Sequence, residues 1–328
     1  MANRKSARKR AGRSRQRPPT GTARRSRKLM KTPDAKLTLT TCDSPDRVEV
    51  FDRETGAWCA TFTLGSYTVS LSGPPRQLRD ARRHVETGCW VRIYPQPFDG
   101  GIDADWLNCA LRANGSGVPD VLAIALQYVA GSRRLYAGGL QIAGNARYGP
   151  RSHESRQEGS DFNDYLGIVW EYPNEPMDRP ETRQIRSLDC SGFVRMVYGY
   201  RRSLPGAFTS TIPLCRAARV DNEALPRRAH EIFTSGPGVV LIDNVSHSRP
   251  AELDVLLPGD LLFFDADSDD GVRLDHVAIY LGLDTKGRRR FISSRKRANG
   301  PTMEDIGGRS ILDGDGLYAR AFRAARRL

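Results

Sequence analysis

Across its 328 residues the chain has no C-x-x-C pair, no cluster of histidines and no apolar run long enough to cross a membrane. Six cysteines (Cys42, Cys59, Cys89, Cys109, Cys190 and Cys215) are scattered singly, without the spacing of a zinc site. A chain of this length can bury a core without disulfides or metal, so dispersed cysteines read first as small buried hydrophobes. The amino-terminal stretch has the basic start of an export signal, but the apolar segment of about 7 to 15 residues that must follow is missing. With no membrane-spanning run either, the sequence offers no route out of the cytoplasm and leaves the localisation open.

The formal charge of +13 suggests a nucleic-acid binder until it is counted by position. Residues 1–32 hold thirteen Lys or Arg and no acid, and the other 38 basic residues balance 38 acidic ones. The remainder is therefore close to neutral. A segment rich in Arg, Ser and Pro cannot bury enough apolar surface to offset its ordering entropy, so residues 1–35 are expected to be a disordered tail. Residues 4–31 are either a solvated extension or an attachment to a polyanion such as nucleic acid, anionic lipid or wall polymer, because clustered cations release counterions on binding.

After Pro33 the pattern changes to period two. Val48–Phe51, Cys59–Thr63 and Tyr67–Leu71, with turns at Thr55-Gly56 and Gly65-Ser66, read as an antiparallel meander. Gly73-Pro74-Pro75 is expected to interrupt it, and Trp90–Tyr94 to add a strand, giving a small β-rich subdomain over 36–100. Asp103 caps a helix with Trp106, Leu107, Ala110 and Leu111 on one face. A second helix, opened by Pro119 and closed by Gly131, turns Val121, Leu122, Ala125, Tyr128 and Val129 inward. Residues 132–186 are rich in Gly, Pro, Asn, Asp and Arg, and so long a stretch with little regular structure commonly borders a site.

The chemistry concentrates in three segments. In Leu188-Asp189-Cys190-Ser191-Gly192-Phe193-Val194 a polar turn meets apolar residues at helical spacing, with Phe193, Val194, Val197 and Tyr198 as a stripe. That places Cys190 at a helix start, where free N–H groups and the dipole favour a thiolate, and where the N–H groups of Ser191 and Gly192 could stabilise an oxyanion. Leu257-Pro258-Gly259-Asp260-Leu261-Leu262-Phe263-Phe264 is a turn feeding a buried strand. Asp275-His276-Val277-Ala278-Ile279-Tyr280-Leu281-Gly282 alternates, with His276, Ala278 and Tyr280 on one face. Asp284-Thr285-Lys286-Gly287 then turns the chain into Arg290–Ser294, and if Leu281 pairs with Arg288, His276 faces Ser293. Cysteine catalysis needs a thiolate, an imidazole and a group that holds the ring. Cys190, His276 and Ser293 fill these roles, with Ser294 or Asn299 as alternatives for the third. Asp267, Asp269, Asp270 and Asp275 ahead of the histidine form either a solvated loop or a cation-binding edge.

These three ordered motifs resemble the NlpC-type cell-wall cysteine peptidases over about Pro119 to Phe291, with 132–186 resembling an insertion ahead of the nucleophile. The resemblance implies an α+β, papain-like domain over 101–328, in which the nucleophile's helix packs on an antiparallel sheet. It also implies hydrolysis of the γ-D-glutamyl to diamino-acid bond in peptidoglycan stem peptides, with wall-derived peptides as partners and neither metal nor cofactor. A helix starting at Leu225-Pro226-Arg227-Arg228-Ala229 is expected between the nucleophile and the Pro-Gly-Asp turn. Asp189, Ser191, Gly192, Tyr148 and Asp275 are candidate substrate contacts. Ser293 departs from the family's usual His, Asn or Gln and is a shorter acceptor. A tyrosine that relatives place near the nucleophile corresponds to Tyr148 or Tyr165 only if the insertion folds back. An amide, thioester or acyl hydrolase with another substrate and an inactive, polyanion-binding module are the competing readings.

Overall fold

Alternating β-formers from Leu37 onward fold into a five-stranded antiparallel meander: β1 (Leu37–Cys42), β2 (Arg47–Asp52), β3 (Trp58–Thr63), β4 (Thr68–Asp80) and β5 (Arg83–Ile93), paired in chain order. The computed structural model describes residues 36–152, 155–201, 210–245, 248–267 and 271–328, so the basic tail and Asp269 and Asp270 lie outside the described residues. One expectation needs correcting here. Gly73-Pro74-Pro75 does not end its strand, because β4 runs through it with a register shift between Ser72 and Arg76 that accommodates the two prolines without a ladder N–H. Gly73 is obligatory there, since a Cβ would lie 2.4 Å from the Trp90 indole nitrogen.

Helix α1 (Ala104–Gly115) starts at the Asp103 cap, whose carboxylate accepts from the Trp106 N–H. Helix α2 (Val121–Leu126) is shorter than its sequence pattern suggests, because Asp120 caps it and the chain leaves helical geometry after Gln127. All five residues expected to face inward are nevertheless buried. The 132–186 segment holds a small hairpin of β6 (Leu135–Ala137) and β7 (Leu140–Ala143), the short helix α3 (Phe162–Leu166) and a 3-10 turn at Thr182–Gln184.

The nucleophile's helix α4 (Cys190–Arg195) widens into a π-helical turn at Met196–Tyr200, and α5 (Ala229–Ser235) begins where expected. A six-stranded antiparallel sheet follows from β8 (Val239–Ile242), β9 (Leu261–Phe264), β10 (His276–Leu283), β11 (Arg289–Arg295), β12 (Gly300–Thr302) and, after α6 (Leu317–Ala321), β13 (Phe322–Arg327). Its order is β12-β11-β10-β9-β13-β8. The described chain is thus a mixed helical and antiparallel-sheet protein.

Alternation along β10 divides the core in two, as its sequence pattern predicts. Val277, Ile279 and Leu281 pack with Phe193, Val194 and Val197 of the α4 region and with Val85, Val91 and Ile93 of the meander. Ala278 and Tyr280 pack on the other face with Phe291, Tyr318 and Phe322. Phe193 and Val194 are wholly buried, each worth about 1.5 to 3 kcal/mol, so α4 is fixed against the sheet chiefly by its apolar stripe. The meander also grips the Pro-Gly-Asp turn. Arg327 of β13 pairs with Asp260 at 2.8 Å and donates to Thr63 Oγ1 of β3, while Gly259, at φ +94°, lies so near Val91 that a Cβ would come within 2.8 Å of its Cγ1.

Candidate active site

Asp189 caps α4 and organises its first turn. One carboxylate oxygen accepts from the Gly192 N–H at 2.8 Å, and the other from the Gly159 N–H at 3.0 Å. Arg227 closes the set, donating to Asp189 Oδ2 at 2.6 Å and to the Ser191 hydroxyl at 2.7 Å. Burial alone would raise the Asp189 carboxyl, but the guanidinium and these hydrogen bonds hold it below its ordinary value. The Gly192 N–H is therefore engaged by Asp189 and unavailable to an oxyanion, which corrects the role expected for it. Gly192 has a packing role instead: a Cβ would sit 2.2 Å from Ser160 O, so only glycine lets the insertion lie against α4.

Cys190 follows as the first residue of α4 and is 7% exposed. Its thiol points to the carbonyl of Asp275 at 3.8 Å, and the Val277 N–H also lies toward the sulfur. The sulfur thus rests against the backbone on both sides of His276. Burial pushes the thiol well above its ordinary value and the Asp189 carboxylate adds to this, while the Val277 N–H opposes both. Burial and the adjacent carboxylate thus work against the lowering expected of a helix start, and the helix here is only six residues long.

His276 opens β10, with its ring 5.3 Å from that of Tyr318 and 5.9 Å from that of Phe264. Burial, then the nearby Arg295 cation, lowers its imidazole to about 3. Its Nε2 is buried without a hydrogen-bond partner. The pairing expected to supply one is absent. Ile279 lies opposite Ile292 and Tyr280 opposite Phe291, with a bulge between Tyr280 and Gly282. That register does not bring Ser293 opposite His276: Ser293, Ser294 and Arg295 pair with β12, and His276 pairs with Phe264 of β9. The hairpin turn is the reason: it closes with Leu283 opposite Arg289, where the expected pairing has Leu281 opposite Arg288, and the bulge recovers only one residue of that offset.

The alternatives for the third residue are also placed. The Ser293 hydroxyl accepts from Arg295 Nε at 2.9 Å, Ser294 donates to Leu188 O at 2.5 Å, and the Asn299 side chain accepts from the Tyr148 N–H at 3.4 Å. The insertion does fold back. Arg147 pairs with the strand leading to the nucleophile through Leu188 N–H to Arg147 O at 2.7 Å, and this brings Tyr148 near enough for Cys190 to perturb its hydroxyl. Tyr148 donates to Glu158, which also pairs with Lys296 at 2.8 Å. Tyr165 is a core residue whose hydroxyl donates to Gly144 O. Asp275 turns its carboxylate onto the N–H groups of Ala266 and Asp267, each at 2.7 Å.

Cys190, Ser191, Asp189 and Asp275 border a cleft of about 630 Å³. Glu158, Asp178 and Glu181 of the insertion line it, together with Arg216, Arg228 and Arg273 from later segments. Sequence reasoning missed Arg227, Arg295 and Tyr318. Arg227 lay inside a quoted helix-start motif, but nothing in its spacing singles it out from Arg228. Arg295 follows the Ser293-Ser294 pair by one residue, and its place was hidden by the closing point of the β10–β11 turn.

The Cys190 thiol thus stands at a helix start, against the backbone that flanks a buried histidine, and borders a charged cleft. Residues 179–311 match the model of the NlpC/P60 family, so this part of the chain is an NlpC/P60 domain. The matched span contains Cys190, the Pro258-Gly259-Asp260 turn, His276 and Ser293. The NlpC/P60 family is one of hydrolases of the cell-wall peptidase kind, which act on peptidoglycan peptides. No curated protein and no solved structure matches the chain. Among the described residues no helix is long and apolar enough to cross a membrane.

Proposed function

We propose that the protein is a cysteine peptidase of papain-like layout that hydrolyses peptide bonds of peptidoglycan stem peptides, with the γ-D-glutamyl to diamino-acid bond as its target. Cys190 is the nucleophile and His276 the base. The observation that carries this reading is the seating of the Cys190 sulfur against the backbone flanking His276, at the edge of the charged cleft. In attack, the thiol proton passes to the imidazole as the sulfur bonds to the scissile carbonyl carbon. The imidazolium then protonates the departing amine, and water hydrolyses the thioester, returning the proton to sulfur.

The cleft walls suit such a peptide. A stem peptide carries both carboxylates and ammonium groups, and acidic residues of the insertion line the same cleft as Arg216, Arg228 and Arg273. Asp189 and Arg227 fix the floor of the cleft, while Tyr148, Ser191 and Asp275 lie at or beside the nucleophile as candidate contacts. We retain 36–100 as a β-rich unit ahead of a catalytic region at 101–328, and residues 4–31 as a polyanion-binding segment. One observation favours a second reading, an inactive fold used for binding: burial raises the thiol and lowers the imidazole, which disfavours a resting ion pair.

Mass spectrometry of purified peptidoglycan and soluble stem peptides, incubated with the full chain, separates the two. New products whose masses place the cut after γ-D-glutamate support the peptidase. Cleavage at another bond corrects the specificity. An intact, reduced protein that leaves every peptide uncut favours the binding module.

A further inference from the structure

The arrangement on the far side of His276 points to a role for a residue that no motif singles out. Arg295 is 2% exposed, at the end of the strand that flanks β10, and it and His276 both lie against the Tyr318 ring. Its guanidinium is pinned from several directions. Nε donates to Ser293 Oγ at 2.9 Å, one terminal nitrogen to Ser310 Oγ at 2.6 Å, and the other to Gly308 O at 2.8 Å. Its central carbon lies 4.4 Å from the centre of the Tyr318 ring, and that ring lies 5.3 Å from the His276 ring at 35°. All its hydrogen-bond partners are neutral, and among the described residues it forms no ion pair. The His276 Nε2 that would meet a ring-holding acceptor is buried and unpartnered. A guanidinium has no acceptor to offer it.

We propose that Arg295 is the positioning residue of the imidazole: held by Ser293 and packed through Tyr318 against His276, it fixes the ring and keeps Cys190 and His276 at rest as a neutral thiol and imidazole. This rests on Cys190 and His276 being the reacting pair, but not on the identity of the substrate. A fixed cation in a poorly hydrated site disfavours a second positive charge beside it. The ring then acts as a base only during attack, when the sulfur's negative charge is moving onto the substrate.

The other charged and titratable groups around the pair are accounted for. From the turn before α4 comes Asp189, which is bound by Arg227. The insertion supplies Tyr148 and Glu158, and β11 continues into Lys296, which pairs with Glu158. Asp275 precedes His276 with its carboxylate turned onto backbone N–H groups, and α6 supplies Tyr318. Around Arg295 itself lie Asp305, which pairs with Arg290 and Arg83, and Asp80, which accepts from Thr302 and Met303; neither forms an ion pair with it. Burial lowers the pKa of Arg295, but an arginine stays protonated across the working range.

The test is the pH dependence of Cys190 alkylation by iodoacetamide, read by peptide mass spectrometry on the full chain, with the other five cysteines as internal controls for folding. In the wild type the Cys190 rate should rise along one limb with its midpoint at or above that of an ordinary thiol, about pH 8.5. Arg295→Gln should move the midpoint down by about one unit, a roughly tenfold faster reaction at pH 7, while Arg295→Lys stays near the wild type. A structural role would instead raise the rates of all six cysteines together and would not be rescued by lysine. A wild-type rate already at its plateau at pH 6, or an unchanged midpoint in a folded Arg295→Gln, overturns the proposal. Should Arg295→Gln fail to fold, Arg295→Met takes its place in the same alkylation test, and an imidazolium form of wild-type His276 at pH 7, read from its ring resonances, overturns the proposal.

Discussion

The two halves of the candidate site are built in opposite ways. On the nucleophile's side a buried carboxylate is fully paired: Asp189 binds Arg227, the Gly192 N–H and the Gly159 N–H, and the Ser191 hydroxyl joins the same set. On the histidine's side a buried cation has only neutral partners, and the adjacent imidazole nitrogen has none. The first half is held by closed electrostatics and should be rigid and costly to disturb. The second holds a cation with no carboxylate partner beside a buried ring whose Nε2 has no partner, an arrangement that costs stability and so points to function.

The largest effect expected from breaking that contrast is on the paired side. Asp189→Ala leaves Arg227 without its closest partner and uncaps α4, and should lower unfolding stability by about 3 to 5 kcal/mol in urea titrations. A loss under about 1 kcal/mol would mean that the pair is not structurally important.

On the histidine's side the contrast appears as pH dependence. His276 is lowered to about 3 in the native state, against an ordinary value near 6.5. The unfolded chain therefore takes up a proton that the native one refuses as pH falls from 6.5 toward 3. The contribution is fully present above pH 6.5 and is lost with acidification, by roughly 3 kcal/mol between pH 7 and pH 4. His276→Gln should flatten this part of the stability profile, and an unchanged slope would contradict the burial of a neutral ring.

Two smaller effects sharpen the account. Gly192→Ala drives a Cβ into Ser160 O and should cost about 2 kcal/mol, with the insertion loosened as read by hydrogen exchange at 159–162. Ser293→Ala removes one neutral acceptor from Arg295 and should cost about 1.5 kcal/mol while leaving the Cys190 alkylation midpoint in place. A large drop in that midpoint would give Ser293 a more direct hold on the ring.

Much of this was legible in the sequence because short-range rules govern it. The Asp103 cap, the α4 stripe and the division of β10 between two core faces depend on spacing alone. Cys190 and His276 were readable for the same reason, each standing at the start of an element whose pattern is unambiguous. What failed depended on long-range placement. The hairpin closes at Leu283 and Arg289, where the expected register had Leu281 and Arg288, so Ser293 does not face His276, and no local pattern records such an offset. The thiol's environment was misread because burial and the Asp189 charge outweigh the short helix, and neither is visible before the chain is packed. The path of β4 through two prolines was lost because a single register shift absorbs them.

The most direct test of the central claim is to trap the covalent intermediate. Rapid acid quenching of the full chain during reaction with a soluble stem peptide, followed by peptide mapping, should show the γ-D-glutamyl portion as a thioester on the fragment containing Cys190, and Cys190→Ala should show neither the adduct nor turnover. Cleavage that proceeds unchanged in Cys190→Ala, or an adduct on any of the other five cysteines, would contradict the account.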